Sequence, residues 1–350
     1  MFKKTKIIIY FLILSTLVFL FFEPIEESKL ICENSTINST VYFCPQEDCM
    51  QVLINLTKNS KKIDCAFYDL DLIPLINQLE QSDARLVIDH KNYYDNEEKF
   101  ENYSGNIKLG TKYIQMHNKF CIFDDEIVAT GSFNPTIRGN YKNNNNLVVI
   151  HSKYLAKNYN DEFNELWNGI NSKGNEVKYP KVVLNGNLIE NYFCPEDCNS
   201  DIFTDIINLA NESVYFMTFS FTKDEIGDAL INAHNRGIKV SGVFEKTQNN
   251  KWLEKERLES AGIMDVMWDT NSANMHHNGS LMNTLLCGEK KGKLHHKVFI
   301  IDEKIVITGS TNPSNNGLNK NDENIIIFHD RDIVKEFVNE FKCIWTRSNY

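Results

Sequence analysis

One sequence pattern occurs twice in this 350-residue chain, and it constrains the possible folds more than any other feature. Each copy consists of a histidine, any residue, a lysine, four further residues and an aspartate, beginning at His117 and again at His295. A Gly-Ser-x-Asn segment follows each copy, at Gly131 and Gly309, and the copies keep a constant offset of 178 positions. A repeat of this length predicts two related halves of one bilobal protein and not a solenoid of short units.

The same order of predicted elements recurs in both halves. Each half has an amphipathic helix, an apolar strand, a second helix and strand, a strand pair around the motif aspartate and a final amphipathic helix. Strands that alternate with helices are typical of α/β proteins. We therefore expect an α/β fold of two pseudo-symmetric α/β/α sandwich halves, residues 41–172 and 189–350, packed around one central active site. Residues 173–188 are expected to be a linker.

The N-terminus resembles a secretory targeting segment. Three lysines among the first six residues precede an apolar run from Ile7 to Phe22, and acidic residues follow it. The run is 16 residues long, shorter than the ~20 that span a bilayer, yet no small-residue cleavage site follows. We expect residues 1–23 to form a hydrophobic helix that acts as a signal anchor, the alternative being a removed signal peptide. Residues 24–40 are expected to be a tether.

The predicted anchor also predicts a location. Positive residues stay on the cytoplasmic side of a membrane, so the catalytic part of the chain is expected outside the cytoplasm, or secreted if the segment is removed. The nine cysteines fit an oxidising compartment. Cys44 with Cys49 and Cys194 with Cys198 occupy matching Tyr-Phe-Cys-Pro contexts and are expected to form local disulfides. Free thiols and zinc are the alternatives, although neither pair has a further ligand at zinc spacing.

The net charge of −10 argues against a protein that coats nucleic acid through bulk electrostatic attraction. A local basic site is still compatible with it. Lysines cluster around the second motif, where they attract phosphate or cover a solvated loop: Lys290, Lys291, Lys293 and Lys297.

The repeated residues have the chemistry of a phosphodiester site. Residues i and i+2 of a strand point to the same side, so each motif projects its histidine and lysine together. If the halves pack about a pseudo-twofold axis, lysines and asparagines hold the non-bridging oxygens, one imidazole attacks phosphorus and the other protonates the leaving oxygen. This chemistry requires no metal or cofactor. The converging residues are His117, Lys119, Asn134, His295, Lys297 and Asn312.

These motifs resemble those of the phospholipase D superfamily, and the resemblance covers residues 41–350. It implies that the two histidines are the nucleophile and the general acid, and that the lysines and asparagines hold the phosphate. It also implies a monomer with an internal pseudo-twofold axis. Residues that support the motifs without touching substrate would be Asp124, Asp302, Ser132 and Ser310.

One departure from the family pattern makes the two histidines unequal. An acidic residue 14 positions after the glycine of Gly-Ser supports a catalytic histidine in similar members; here the second half has Glu323 and the first has Asn145. A carboxylate stabilises a protonated imidazole better than an amide does. Family precedent makes His117 the nucleophile, whereas Glu323 orienting the ring of His295 favours His295. The assignment stays open, and Asn145 is alternatively only a polar turn residue.

Three functions compete. The compact layout and the segment 215–222 resemble the small endonucleases of the superfamily, so the first expectation is a nuclease acting on DNA or RNA. The alternative is a lipid phosphodiesterase that hydrolyses phospholipid or cardiolipin, which a membrane anchor would place beside its substrate. The third is a non-catalytic, membrane-anchored module, and intact motifs in both halves count against it.

Overall fold

The computed structural model describes residues 30–250, 252–269 and 292–348. The helix predicted for residues 1–23 lies outside these ranges. None of the helices within them combines the length and the hydropathy that a membrane span requires.

The first half of the chain forms a seven-stranded sheet in the order β2-β8-β7-β6-β3-β4-β5. Its strands are β2 (Thr40–Cys44), β3 (Ile63–Phe67), β4 (Arg85–Ile88), β5 (Asn106–Leu109), β6 (Lys119–Phe123), β7 (Ile127–Gly131) and β8 (Asn145–His151). Its α-helices are α1 (Cys49–Lys58), α2 (Ile73–Gln81), α3 (His90–Asp95), α4 (Ile137–Tyr141) and α5 (Lys153–Trp167), and a 3₁₀ turn covers Glu97–Phe100.

The second half repeats this arrangement in a nine-stranded sheet, ordered β1-β9-β10-β16-β15-β14-β11-β12-β13. Its strands are β1 (Ile31–Glu33), β9 (Lys181–Leu184), β10 (Asn187–Cys194), β11 (Ser213–Thr218), β12 (Lys239–Phe244), β13 (Val266–Trp268), β14 (Lys297–Ile301), β15 (Ile305–Gly309) and β16 (Glu323–Phe328). Its α-helices are α6 (Asp201–Asn208), α7 (Asp224–Asn235), α8 (Glu254–Ser260), α9 (Asn315–Asn319) and α10 (Arg331–Ser348), with a 3₁₀ turn at Lys246–Gln248.

Two segments predicted to be irregular contribute strands. Strand β1 lies within the predicted tether 24–40, and β9 lies within the predicted linker 173–188. The two strands pair in parallel, so the N-terminal end of the described chain joins the sheet of the second half. Strands of three and four residues show too little alternation to be recognised in a sequence, and their hydrogen bonds come from residues distant in the chain. The prediction of a tether and a linker without strands was wrong here.

The central strands of both sheets are buried along most of their length. Strands β3 and β6 pair antiparallel, as do β11 and β14, and in both pairs the motif lysine begins the second strand. Every residue of β3, β6 and β14 is buried, which explains their nearly continuous apolar sequences. Each sheet therefore presents its motif lysine from a rigid, buried position.

One hydrophobic core spans both halves. It contains residues of the long helices α5 and α10 and of both sheets. Edge-to-face aromatic pairs cross between the halves, since Tyr159 lies 5.0 Å from Phe193 and Phe43 lies 5.2 Å from Phe337, measured between ring centroids. Such contacts add to the stabilisation from burial. The described residues from Ile31 onward accordingly form one compact unit.

Disulfides join several buried cysteines. Cys44 bonds to Cys49 and Cys194 to Cys198, the two pairs expected from their sequence contexts. Cys65 on β3 bonds to Cys121 on β6, a bond that the sequence analysis did not anticipate because these residues become neighbours only through strand pairing. Cys343 is also disulfide-bonded.

A buried carboxylate lies at matching positions in the two halves but has different partners. In the second half, Glu340 accepts hydrogen bonds from Gln46 (3.1 Å) and contacts His296 (3.3 Å). In the first half, Glu162 accepts one from Asn118 at 3.0 Å. The residue equivalent to Gln46, which also follows a Cys-Pro pair, is Glu196. A carboxylate therefore stands where the other half has an amide donor.

Burial raises the pKa of Glu196 to about 7, and the charges of Asp322 and Asp197 add to this effect. Burial also raises the pKa of Glu162 well above its ordinary value, with Glu196 contributing. A carboxyl whose pKa is raised by folding favours the folded state below its unfolded pKa. That contribution is lost as the pH rises through the folded pKa.

Replacing Glu196 by glutamine should therefore change stability in a pH-dependent way. We expect Glu196→Gln to match the wild type near pH 5 and to raise the melting temperature near pH 8, because its amide can donate to Glu162. Differential scanning calorimetry at both pH values measures this. The matched reverse variant, Gln46→Glu, should lower the melting temperature near pH 8 by placing a second carboxylate beside Glu340. Identical melting of Glu196→Gln and wild type at both pH values would contradict the prediction.

Candidate active site

Backbone hydrogen bonds between the halves fix the motif histidines. The segment at Met116 forms a β-bridge with Asp322, and the equivalent segment at Leu294 forms one with Asn144. The amide of His117 donates to the carbonyl of Asp322 at 2.9 Å, and the amide of His295 donates to that of Asn144 at 2.9 Å. Each histidine is thus held by the half to which it does not belong.

The side-chain partners of the two imidazoles also cross between the halves. Nδ1 of His117 lies 2.7 Å from Oε2 of Glu323, and Nδ1 of His295 lies 2.8 Å from Oδ1 of Asn145. The hypothesis that Glu323 orients His295 was therefore wrong: the carboxylate orients His117. Asn145 is not merely a turn residue, because it orients the other ring. A repeat identifies equivalent positions, but it does not tell whether they pair within a half or across.

Both Nδ1 atoms face acceptors, and this fixes the tautomers. Oδ1 of Asn145 and the carbonyl of Ser132, 3.2 Å away, both accept from Nδ1 of His295. A carboxylate oxygen accepts from Nδ1 of His117. When Nδ1 of a neutral imidazole carries the proton, Nε2 has a free lone pair. Each ring therefore offers Nε2 for chemistry.

The motif lysines are buried and lie close to both histidines. Lys119 donates to the carbonyl of His117, and Lys297 donates to that of His295 at 2.8 Å. Burial lowers the pKa of Lys119 to about 7, although Glu323 opposes this, and it lowers the pKa of Lys297 well below its ordinary value. A bound anion would return positive charge to both ammonium groups.

The electrostatic environment keeps both imidazoles neutral. Burial lowers the pKa of His117 well below its ordinary value, and the charges of Lys119 and Lys297 lower it further. Burial and the same two lysines lower the pKa of His295, and the charge of His117 contributes as well. Because each lysine acts on both imidazoles, the four groups share one site. Burial also raises the pKa of Glu323, while the charges of Lys119 and Lys297 oppose this shift and favour the carboxylate.

The Gly-Ser-x-Asn segments make the same turn in both halves. Gly131 and Gly309 have φ values of 143° and 134°, and a Cβ atom at either would collide with the carbonyl of the strand alongside. The hydroxyls of Ser132 and Ser310 accept from the backbone amides of Asn146 and Asn324 at 3.0 and 2.9 Å, which holds the turn against β8 and β16.

Two side-chain amide oxygens at this turn have no hydrogen-bond partner within the described ranges. The side-chain oxygens of Asn134 and Asn312 are buried, and neither has a partner there. Buried polar groups are normally paired, and the oxygen and nitrogen of an amide are assigned from their partners alone. These two amides are therefore available to bind a ligand.

The motif aspartates lie away from the histidines, at the far end of the strand pairs. Asp124 and Asp302 begin the tight turns with φ of 52° and 53°. Oδ1 of Asp124 accepts from the amides of Lys61 and Lys62 at 2.8 and 2.9 Å, and Asp302 binds equivalent amides near Ser213. These carboxylates join the turn to the neighbouring strand, consistent with a supporting role.

Two aromatic residues at the site were not predicted from the sequence. The ring of Tyr68 lies 4.4 Å from that of His117, and the ring of Phe219 lies 4.8 Å from that of His295, between centroids. The ammonium groups of Lys119 and Lys297 lie over the same two rings, at 5.0 and 5.1 Å. The signal was available, because each aromatic directly follows the first buried strand of its half. Cation–π contacts favour the charged lysine.

No group of three or more His, Cys, Asp or Glu side chains in the described ranges is arranged to hold a metal ion.

His296, beside His295 in sequence, points to the other face of the sheet and contacts Asn146 and Glu340. The fold and the site thus define a duplicated α/β protein whose halves share one buried pair of imidazoles.

A family model described as "Cardiolipin synthase, PLD-like domain" matches residues 31–167 and 203–345, most of both halves. The chain therefore belongs to the phospholipase D superfamily, which confirms the resemblance read from the motifs.

Individual relatives have low sequence identity to this chain. A phospholipase D of Rickettsia prowazekii is 29% identical over 176 residues, covering 50% of this chain and 76% of the relative. A mitochondrial cardiolipin hydrolase of Canis lupus familiaris is 29% identical over 143 residues, covering 40% of this chain. The chain spans about half the length, 48%, of that hydrolase. A phosphatidylserine synthase of Haemophilus influenzae Rd KW20 shares the fold with a TM-score of 0.61 at 11% identity, covering 88% of this chain and 86% of that one.

The pairing of each imidazole with a side chain of the opposite half can be tested without an activity assay. In Asn145→Asp, a carboxylate replaces the amide beside Nδ1 of His295, which should raise the pKa of His295 because a negative partner stabilises the imidazolium. The pKa of His117 should change little. NMR titration of the labelled imidazole rings measures both values.

Glu323→Gln is the matched control, because it should lower the pKa of His117 and leave His295 nearly unchanged. If Asn145→Asp shifted the titration of His117 instead, each histidine would be paired within its own half and the crossed geometry would be refuted.

Proposed function

We propose that the chain hydrolyses phosphodiesters through a phosphohistidine formed on His117, with His295 as the general acid and base. The observation that carries the proposal is the 2.7 Å contact between Nδ1 of His117 and the carboxylate of Glu323, against an amide beside His295. The family precedent and the electrostatic argument, which the sequence set against each other, then both support His117.

In the first step, the lone pair on Nε2 of His117 attacks phosphorus and the bond from phosphorus to the leaving oxygen breaks. The imidazole becomes cationic when it carries the phosphoryl group, and the carboxylate of Glu323 balances that charge. His295, protonated at Nε2, gives its proton to the leaving oxygen, which departs as an alcohol. A bound anionic diester favours the protonated form of His295. Burial and the two lysines, which lower the pKa of His295, then favour release of that proton to the leaving oxygen.

The charged transition state is stabilised by the groups around the phosphate. We assign Lys119, Lys297 and the amides of Asn134 and Asn312 to its non-bridging oxygens. The buried oxygens of these two amides have no partner in the described ranges, which supports a place for a ligand beside them. The lysines lie in a dry site, where their interaction with an anion is stronger than in water.

The second step returns the enzyme to its starting state. Neutral His295 takes a proton from water, and the resulting hydroxide attacks phosphorus as the bond from phosphorus to Nε2 of His117 breaks. The products are one alcohol and one phosphomonoester. His295 is again protonated, and His117 is again neutral.

A lipid phosphodiester is the substrate class that we propose first. The phospholipase D and cardiolipin hydrolase names of the relatives support it, as does the apolar surface described below. A nucleic acid is the second candidate, because the rings of Tyr68 and Phe219 beside the histidines suit stacking on bases. The net charge of −10 gives no general attraction for a polyanion.

We also propose that residues 1–23 anchor a monomer to a membrane with the catalytic part outside the cytoplasm, secretion being the alternative. The disulfides in both halves support an oxidising compartment. The shared core between the halves supports a chain that completes its site without a second copy.

An assay with the full chain in EDTA tests the mechanism. The substrates are phospholipid vesicles, plasmid DNA, single-stranded DNA, RNA and bis(p-nitrophenyl) phosphate. His117→Ala should lose activity by about 10³-fold or more on every substrate that the wild type cleaves. His295→Ala should lose less on the nitrophenyl ester, because nitrophenolate leaves without a proton, and should accumulate a covalent intermediate on His117 visible by mass spectrometry.

Four outcomes would contradict parts of the proposal. An adduct on His295 in the wild type would reverse the two roles. Unchanged turnover in both alanine variants would exclude phosphohistidine chemistry, and failure to cleave any diester would favour the non-catalytic module. Cleavage of nucleic acid without cleavage of lipid would select the second substrate class.

A further inference from the structure

The short helix after the Gly-Ser-x-Asn segment exposes apolar side chains in the first half and polar side chains in the second. Helix α4 reads Ile-Arg-Gly-Asn-Tyr, and its equivalent α9 reads Asn-Asn-Gly-Leu-Asn. In α4 the apolar residues are outside, since Ile137 is 51% exposed and Tyr141 47%, while Asn140 is 1% exposed. In α9 the buried residue is Leu318, and the asparagines are exposed.

The fold itself does not require apolar residues on the outside of α4. Both helices have five residues, and both begin with a hydroxyl that accepts from the third helical amide, Thr136 to Gly139 at 2.9 Å and Ser314 to Gly317 at 3.1 Å. The buried amide of Asn140 is satisfied by Met50 and Asp48 at 2.8 and 3.0 Å. The second half folds with polar residues on the outside of α9. The exposed apolar residues of α4 therefore have another cause.

A third exposed apolar residue lies beside this helix. Ile73, the first residue of α2, is 44% exposed, and Asp224 begins the equivalent helix α7. The carboxylate of Asp71 accepts from the amide of Ile137 at 2.6 Å and so joins the start of α2 to that of α4. We call Ile73, Ile137 and Tyr141 the apolar lip.

The apolar lip borders the phosphate-binding residues. Asn134 lies three residues before Ile137, and its carbonyl accepts from the amide of Thr136 at 2.7 Å within the same turn. Two exposed cations, Arg138 and Lys142, alternate with the exposed apolar residues. Asn134, which we assign to the phosphate, is therefore joined to the apolar lip within one turn, and positive residues adjoin the apolar ones.

We propose that the apolar lip docks on the surface of a phospholipid bilayer and holds the candidate active site against it. Exposed apolar and aromatic side chains beside basic ones are typical of interfacial binding, in which the apolar groups enter the headgroup region and the cations face lipid phosphates. Tyrosine suits this boundary because its ring is apolar and its hydroxyl is polar. The side chains of Ile73 and Ile137 have no charge, donor or acceptor for a phosphate backbone. The proposal deepens the lipid form of the proposed function and rests on it for the link to catalysis.

Photocrosslinking tests the docking surface independently of catalysis. The photoreactive amino acid p-benzoylphenylalanine is placed at position 141 of the full chain in one variant and at position 319 in another. Positions 141 and 319 are equivalent exposed ends of α4 and α9. Irradiation in vesicles of phosphatidylcholine and phosphatidylglycerol should give lipid adducts, detected by mass spectrometry, at position 141 and not at 319. Equal adducts at both positions, or none at 141, would overturn the proposal, as would preferential adducts with added DNA.

A second measurement separates docking from catalysis. The double variant Ile137→Asn/Tyr141→Asn carries the residues of the second half, so it should retain the fold. We expect turnover of vesicle phospholipid to fall roughly ten-fold, with hydrolysis of bis(p-nitrophenyl) phosphate unchanged. Leu209→Asn, at another exposed apolar residue, is the control and should change neither rate. Equal loss on both substrates would overturn the proposal. If the wild type cleaves neither substrate, the proposed function fails while the crosslinking result still decides the docking surface.

Discussion

The site depends on the pairing of each motif segment with a loop of the opposite half. The bridges from Met116 to Asp322 and from Asn144 to Leu294 place two histidines in one cleft and supply the side chain that orients each ring. A buried imidazole and a buried lysine would be costly in a half on its own, because burial disfavours the charged form of both. The packing of the halves supplies acceptors and a carboxylate that make the cluster compatible with a folded protein.

A nearly symmetric backbone allows an asymmetric site. The two histidines have equivalent amide partners, equivalent lysines and equivalent turns, yet one Nδ1 faces a carboxylate and the other an amide. A nucleophile must carry positive charge during the reaction, whereas an acid must release a proton readily. Glu323 suits the first requirement and Asn145 the second. One substitution at a repeated position would therefore separate the two proposed roles within a duplicated framework.

The same kind of divergence appears away from the histidines. Glu196 stands where the other half has Gln46, and helix α4 exposes apolar side chains where α9 exposes asparagines. These changes leave the strands and caps as they are, because the backbone hydrogen bonds that define them do not involve the altered side chains. Comparison of the halves thus provides an internal reference: where the elements match and the side chains differ, the particular side chain is not required to form the element.

The sequence by itself determined the duplication, the alternation of strands and helices and the residues available for chemistry. Local patterns encode these features, since the period of the apolar residues and the turn residues between Asp124 and Ile127 act within a few positions. Tertiary structure alone decided which half orients which histidine, that Cys65 meets Cys121, and that β1 and β9 complete a sheet. These depend on contacts between residues far apart in the chain, and a repeat leaves two pairings open that differ only in whether equivalent residues meet within one half or across the interface.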